Sequence, residues 1–218
     1  MQLEDKMVQP AFAGLTLEAL SHATLVRAAN EDVFIDTALV DLATRMVVNG
    51  AEAFTGLPRG DVQGVISCDP LYLPPCGSDG TLPPVTLDRP LSCCNRITMP
   101  FHVPGHWMLV EIHPLTGRVW IGDPMKSHGS KFMNRVQGRV LAWLLMMQQR
   151  WKEPTTMWVF EEASWTQQPQ GSNLCGPFVV LYAACRQRGW EPPAVIDGRA
   201  LRRWVLDMIL RQCTQVQH

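Results

Sequence analysis

From Asn30 to Val48 the apolar residues Val33, Phe34, Ala38, Leu42 and Met46 recur at three- and four-residue steps, with Asp36, Asp41 and Arg45 between them. That spacing predicts an amphipathic helix. Val65 to Cys68 is a short β-prone run, and the segment from about 69 to 91 is rich in proline and has neither helical nor alternating period. It is expected to form a long exposed loop inserted into the domain. Three strand patterns follow, Arg96 to Phe101, His106 to His113 and Arg118 to Asp123. The last two are joined by Pro114-Leu115-Thr116-Gly117, turn chemistry that makes them a hairpin. From Lys131 to Trp151, Phe132, Val136, Val140, Trp143, Leu144, Met147 and Trp151 share one helical face, and Pro154 stops the run. Thr156 to Glu161 is β-prone again. Asp197 is placed to cap a last helix that buries Leu201, Trp204, Val205, Met208 and Ile209.

One segment fits neither pattern. Cys175 to Cys185 is apolar on every side, which predicts a helix enclosed by the core. Pro177 is tolerated only in a first turn, so Cys175 stands at the helix start. There the partial positive charge of the helix terminus favours a thiolate. Antiparallel pairing about the Leu115-Thr116 centre brings His106 and Asp123 within about two residues of facing each other. Taken singly, these are a core cysteine, a polar strand end and a turn former. Taken jointly, they are a nucleophile, a base and the carboxylate that orients the base. Acyl transfer also needs donors for an oxyanion: Gln168 or Gln170, in the polar loop before the helix, offers a side-chain amide, and the Cys175 backbone N–H offers a second. His22, His102, His113, His218 and His128, the last expected in a Gly/Ser loop, are weaker candidates for the base.

Composition narrows the partners. At 218 residues and 46% hydrophobic content, residues 1–218 are expected to fold as one domain carrying the 69–91 insertion. The net charge of -1, with 19 basic and 20 acidic residues spread along the chain, supplies no basic stripe, so nucleic acid is not an expected partner. No basic segment leads into an apolar run at the start, and no stretch approaches the ~20 apolar residues of a bilayer span, so neither secretion nor a membrane is expected. Seven cysteines without paired C-x-x-C knuckles point to free thiols in a reducing compartment. Cys93, Cys94, His102 and His106 match no common zinc spacing, and no metal is expected.

The chain resembles the ubiquitin-like-protein-specific (SUMO) proteases, together with the adenovirus-type proteases of the same papain-like clan. The resemblance is carried by Gly105-His106-Trp107, Gly122-Asp123, Gln168, Cys175-Gly176-Pro177-Phe178 and the earlier Asp32-Val33-Phe34-Ile35-Asp36. It implies an α+β, papain-like cysteine protease core with a mostly antiparallel sheet packed by the helix that carries the nucleophile. It also implies hydrolysis after the C-terminal diglycine of a ubiquitin-like modifier or its conjugates, through a thioester, in the nucleus or cytoplasm and with no cofactor. Trp107 would then help line the channel for the diglycine tail. Three departures stand out: Ala29 where the family has tryptophan, Leu174 where Asp commonly precedes the cysteine, and a seven-residue step from Gln168 to Cys175 closer to the adenovirus type. An acyltransferase using the same triad and a catalytically silent modifier-binding domain are the competing readings. Retention of all four groups argues against the silent one.

Overall fold

The computed structural model describes residues 35, 37–49, 87, 89–103 and 105–215. In chain order the elements are α1 (Thr37–Asn49), β1 (Ile97–Val103), β2 (His106–His113), β3 (Arg118–Gly122), α2 (Lys126–Trp151), β4 (Val159–Ala163), α3 (Cys175–Arg188) and α4 (Gly198–Gln215). The Val65 to Cys68 strand, most of the 69–91 insertion, Ala29, and all but Ile35 of the Asp32 to Asp36 motif lie outside the described residues.

β1, β2 and β3 form an antiparallel meander, and β4 joins its edge parallel to β3. The fold is α+β with a mostly antiparallel sheet. β2 is buried along nearly its whole length, because helices cover both faces of the sheet. Its Met108, Val110 and Ile112 pack with Val136, Val140, Trp143, Leu144 and Met147 of α2. Trp107 and Leu109, the alternate residues, pack with α1, α3 and α4, as the two-residue period of a strand requires. Full burial also explains why α3 is apolar all round: its residues face the sheet, α1 and α4 at once.

Three expected boundaries move. The long helix starts at Lys126, five residues before Lys131, so His128 lies in its first turn and not in a loop. Its Lys126 N–H donates to Gln167 Oε1 at 2.7 Å, a distant side chain that satisfies one of the open donors of a helix start. The last strand is Val159–Ala163, not Thr156 to Glu161. The Val159 N–H donates to Gly117 O, and pairing with β3 begins there. β1 extends two residues beyond Phe101, to Val103. The final helix forms as expected, with Asp197 Oδ1 accepting from the N–H groups of Arg199 and Ala200. No helix among the described residues is long and apolar enough to cross a membrane.

Candidate active site

β2 and β3 pair as far as Leu109 opposite Gly122. One further step sets Asp123 against Met108, two residues from His106, and the side chains of His106 and Asp123 meet across that diagonal. The His106 Nε2–H donates to Asp123 Oδ1 at 2.7 Å. The same Oδ1 accepts the Met125 backbone N–H at 2.7 Å, a local turn that aims the carboxylate at the ring. Gly122, just before Asp123, lets the Trp165 ring pack against the end of β3, because a Cβ there would collide with it.

Cys175 is the first residue of α3, and no side chain among the described residues caps that helix start. Pro177 contributes no N–H, and Phe178 N–H is the first to close onto Leu174 O, at 2.9 Å. The N–H groups of Cys175 and Gly176 therefore precede the helical ladder. Gly176 brings α3 close to α1: a Cβ would stand 2.8 Å from Val40 Cγ2 and 3.6 Å from Trp107 Cδ1.

The two halves of the site communicate through His106. Burial, the largest influence on the ring, disfavours its charge; hydrogen bonds with Asp123 and Cys175, and the charges of both, outweigh it and raise the imidazole from 6.5 to about 9. Nε2 is committed to Asp123, which leaves Nδ1 as the ring nitrogen available to Cys175. All three groups are buried, His106 and Cys175 at 0% exposure and Asp123 at 4%. A charged imidazole next to a thiol at a helix start is the arrangement that activates a cysteine nucleophile.

The loop from Ser164 to Leu174 is moored at several points. Gln168 N–H donates to Pro124 O at 2.8 Å, its buried Nε2 donates to Ser172 O at 3.0 Å, and Met125 Sδ lies 4.0 Å away. Gln170 is exposed. Tyr182 of α3 hydrogen-bonds Thr166 O, and its ring packs 4.3 Å from Trp165. Two anchors had no signal in the sequence. Gln167 Nε2 donates to Asp123 O at 3.0 Å, tying the loop to the residue that pairs with His106. Arg202, buried on α4, donates from Nη2 to Asn173 O at 2.8 Å, two residues before Cys175. A pairing partner 44 or 29 residues away leaves no local pattern to read.

Trp107 is 3% exposed, packed beside Gly176 and 4.7 Å from the His102 ring. The structure thus brings Cys175, His106 and Asp123 together, puts Gln168 in the loop next to them, and seats Trp107 beneath the helix start. Cys93, Cys94, Cys175 and Cys185 are not in disulfides, and no cluster of three metal-ligating side chains exists among the described residues.

Residues 80–197 match the Ulp1 protease family, C-terminal catalytic domain. The fold is shared with the Chaetomium thermophilum Ulp1-like SUMO protease catalytic domain, with 18% identity, 81% of this chain and 71% of that chain covered, and a TM-score of 0.59. It is also shared with the SUMO protease Ulp1 whose catalytic cysteine is oxidised to a sulfenic acid, at 14% identity, coverage of 98% and 96% and a TM-score of 0.63. A third similar structure is the C-terminal Ulp1 protease domain in complex with Smt3, the yeast ortholog of SUMO, at 14% identity, coverage of 98% and 96% and a TM-score of 0.59. No curated protein matches the chain.

Proposed function

Because this chain belongs to the Ulp1 protease family, we propose that it is a cysteine protease or isopeptidase that cleaves after the C-terminal diglycine of a ubiquitin-like modifier. The observation that carries this reading is the buried His106–Asp123 pair at 2.7 Å whose imidazole is raised to about 9 with the help of Cys175 at a helix start. A core cysteine with only a packing role has no need of a charged, carboxylate-oriented imidazole.

In this mechanism the Cys175 thiolate attacks the carbonyl carbon of the terminal glycine. The N–H of Cys175 and the amide of Gln168 stabilise the oxyanion. The His106 imidazolium protonates the departing amine as the C–N bond breaks, leaving a thioester on Sγ. His106, now neutral, takes a proton from water, which attacks the thioester and releases the carboxylate and the thiolate. Asp123 keeps Nε2 protonated and the ring turned throughout. The total burial of Cys175 favours a substrate whose last residues have no side chains, which a diglycine tail provides. Trp107, under Gly176, supplies the floor on which that tail lies.

Hydrolysis of modifier–diglycine fluorogenic amides tests the proposal. Wild-type protein is expected to turn over at least one of the ubiquitin, SUMO or NEDD8 substrates, and Cys175→Ser to turn over none while keeping its fold. Activity retained in Cys175→Ser would sink the assignment.

A further inference from the structure

β2 and α3 meet at a second place, at the end away from the nucleophile. Glu111, a carboxylate with no exposure in the middle of β2, receives Arg186 Nε and Nη2, each at 2.9 Å. His113 Nε2 reaches the same carboxylate, and Arg96 Nη1 stands 4.0 Å from it while donating to Arg186 O at 2.7 Å. The Arg186 guanidinium also lies 4.2 Å over the Trp120 ring of β3. Burial disfavours the Glu111 charge, but His113, Arg186 and Arg96 hold the carboxyl below its ordinary range.

The spacing of this network matches that of the catalytic pair. His106 and Glu111 are five residues apart on β2, and Cys175 and Arg186 are eleven apart on α3. At about 3.3 Å per strand residue and 1.5 Å per helical residue, both intervals span roughly 16.5 Å. Strand and helix therefore touch at two matched points, His106 with Cys175 and Glu111 with Arg186. The surface between them is apolar, including Trp107, Leu109, Val179 and Ala183, and apolar contact is non-directional. A bidentate arginine–carboxylate pair has a fixed geometry.

We propose that Glu111 and Arg186 are positioning residues that fix the register of α3 along β2 and thereby the separation of Cys175 from His106. This rests on the reading of Cys175 and His106 as the reacting pair. The test is the pH profile of Cys175 alkylation by iodoacetamide in the full chain, with unfolding midpoints recorded alongside. Arg186→Met keeps an unbranched apolar stem and removes the charge, and Arg186→Lys keeps the charge and removes the fork. In each, alkylation at pH 6.5 is expected to slow about tenfold as Cys175 slips out of reach of His106, and to match wild type at pH 10. Val140→Ala, a cavity on the opposite face of the sheet, is the stability control and should leave the profile unchanged. An unchanged profile in either folded Arg186 variant, or an equal change in Val140→Ala, would overturn the proposal. Wild-type Cys175 alkylating no faster than an ordinary thiol would instead remove the reading on which it rests.

Discussion

Asp123→Asn isolates the charge of the residue paired with His106, with little change of shape. Both observed partners of Asp123, the His106 Nε2–H and the Met125 N–H, use Oδ1, and an asparagine oxygen in that place accepts both. The amide NH2 then replaces Oδ2, a buried atom with no hydrogen-bond partner. What disappears is the negative charge. His106 stands at about 9 where an exposed imidazole stands at 6.5, a difference worth about 3.4 kcal/mol, or about 300-fold in the ratio of charged to neutral ring. Cys175 supplies part of that, and burial works against it, so removing the Asp123 share should cost about 10- to 100-fold in the thiolate–imidazolium pair. Alkylation of Cys175 reads this without a substrate. At pH 6.5 the variant should react about 10- to 100-fold more slowly than wild type, and near pH 10, where the thiolate forms without help, the two rates should converge. Equal rates at pH 6.5 would refute the argument that Asp123 maintains the ion pair.

The raised imidazole also predicts a pH-dependent stability. A folded-state value of about 9 above an unfolded 6.5 contributes fully below pH 6.5 and is lost as pH rises through about 9. Wild type should therefore lose about 2–3 kcal/mol more than His106→Gln between pH 6.5 and 9.5 in urea unfolding; parallel curves would contradict it. Gln168→Ala is expected to lower turnover by about 10²–10³ if the amide serves the oxyanion, and full activity would shift that role to Gln170. Gly176→Ala puts a methyl 2.8 Å from Val40 Cγ2 and should cost about 1–3 kcal/mol by overpacking. Combining it with Val40→Ala should recover part of that loss in a double-mutant cycle, and strict additivity would show that the contact is not the cause.

Much of this site was legible in the sequence because its parts rest on local signals. Cys175 was placed by an apolar run with Pro177 in its first turn, and the His106–Asp123 meeting by the hairpin turn at Pro114–Thr116 and the two-residue period of its strands. Signals failed where distant partners decide. Gly129 and Ser130 read as a loop, yet the helix begins at Lys126, where Gln167 satisfies its first N–H. β4 is a half-exposed edge strand whose pairing with β3 sets its limits. Glu111 lies on the predicted His106 to His113 strand with no local pattern to mark it, and Arg186, 75 residues away, gives its buried charge a partner.

The most direct test of the central claim is a panel of diglycine-terminated electrophilic probes built on ubiquitin, SUMO and NEDD8, read by intact mass with the modified residue mapped by peptide analysis. The account predicts a covalent adduct with at least one probe, carried on Cys175, absent in Cys175→Ala and slowed in His106→Ala. No adduct with any probe, from a protein whose Cys175 alkylates rapidly with iodoacetamide, would contradict the diglycine assignment, and an adduct on another cysteine would contradict the nucleophile.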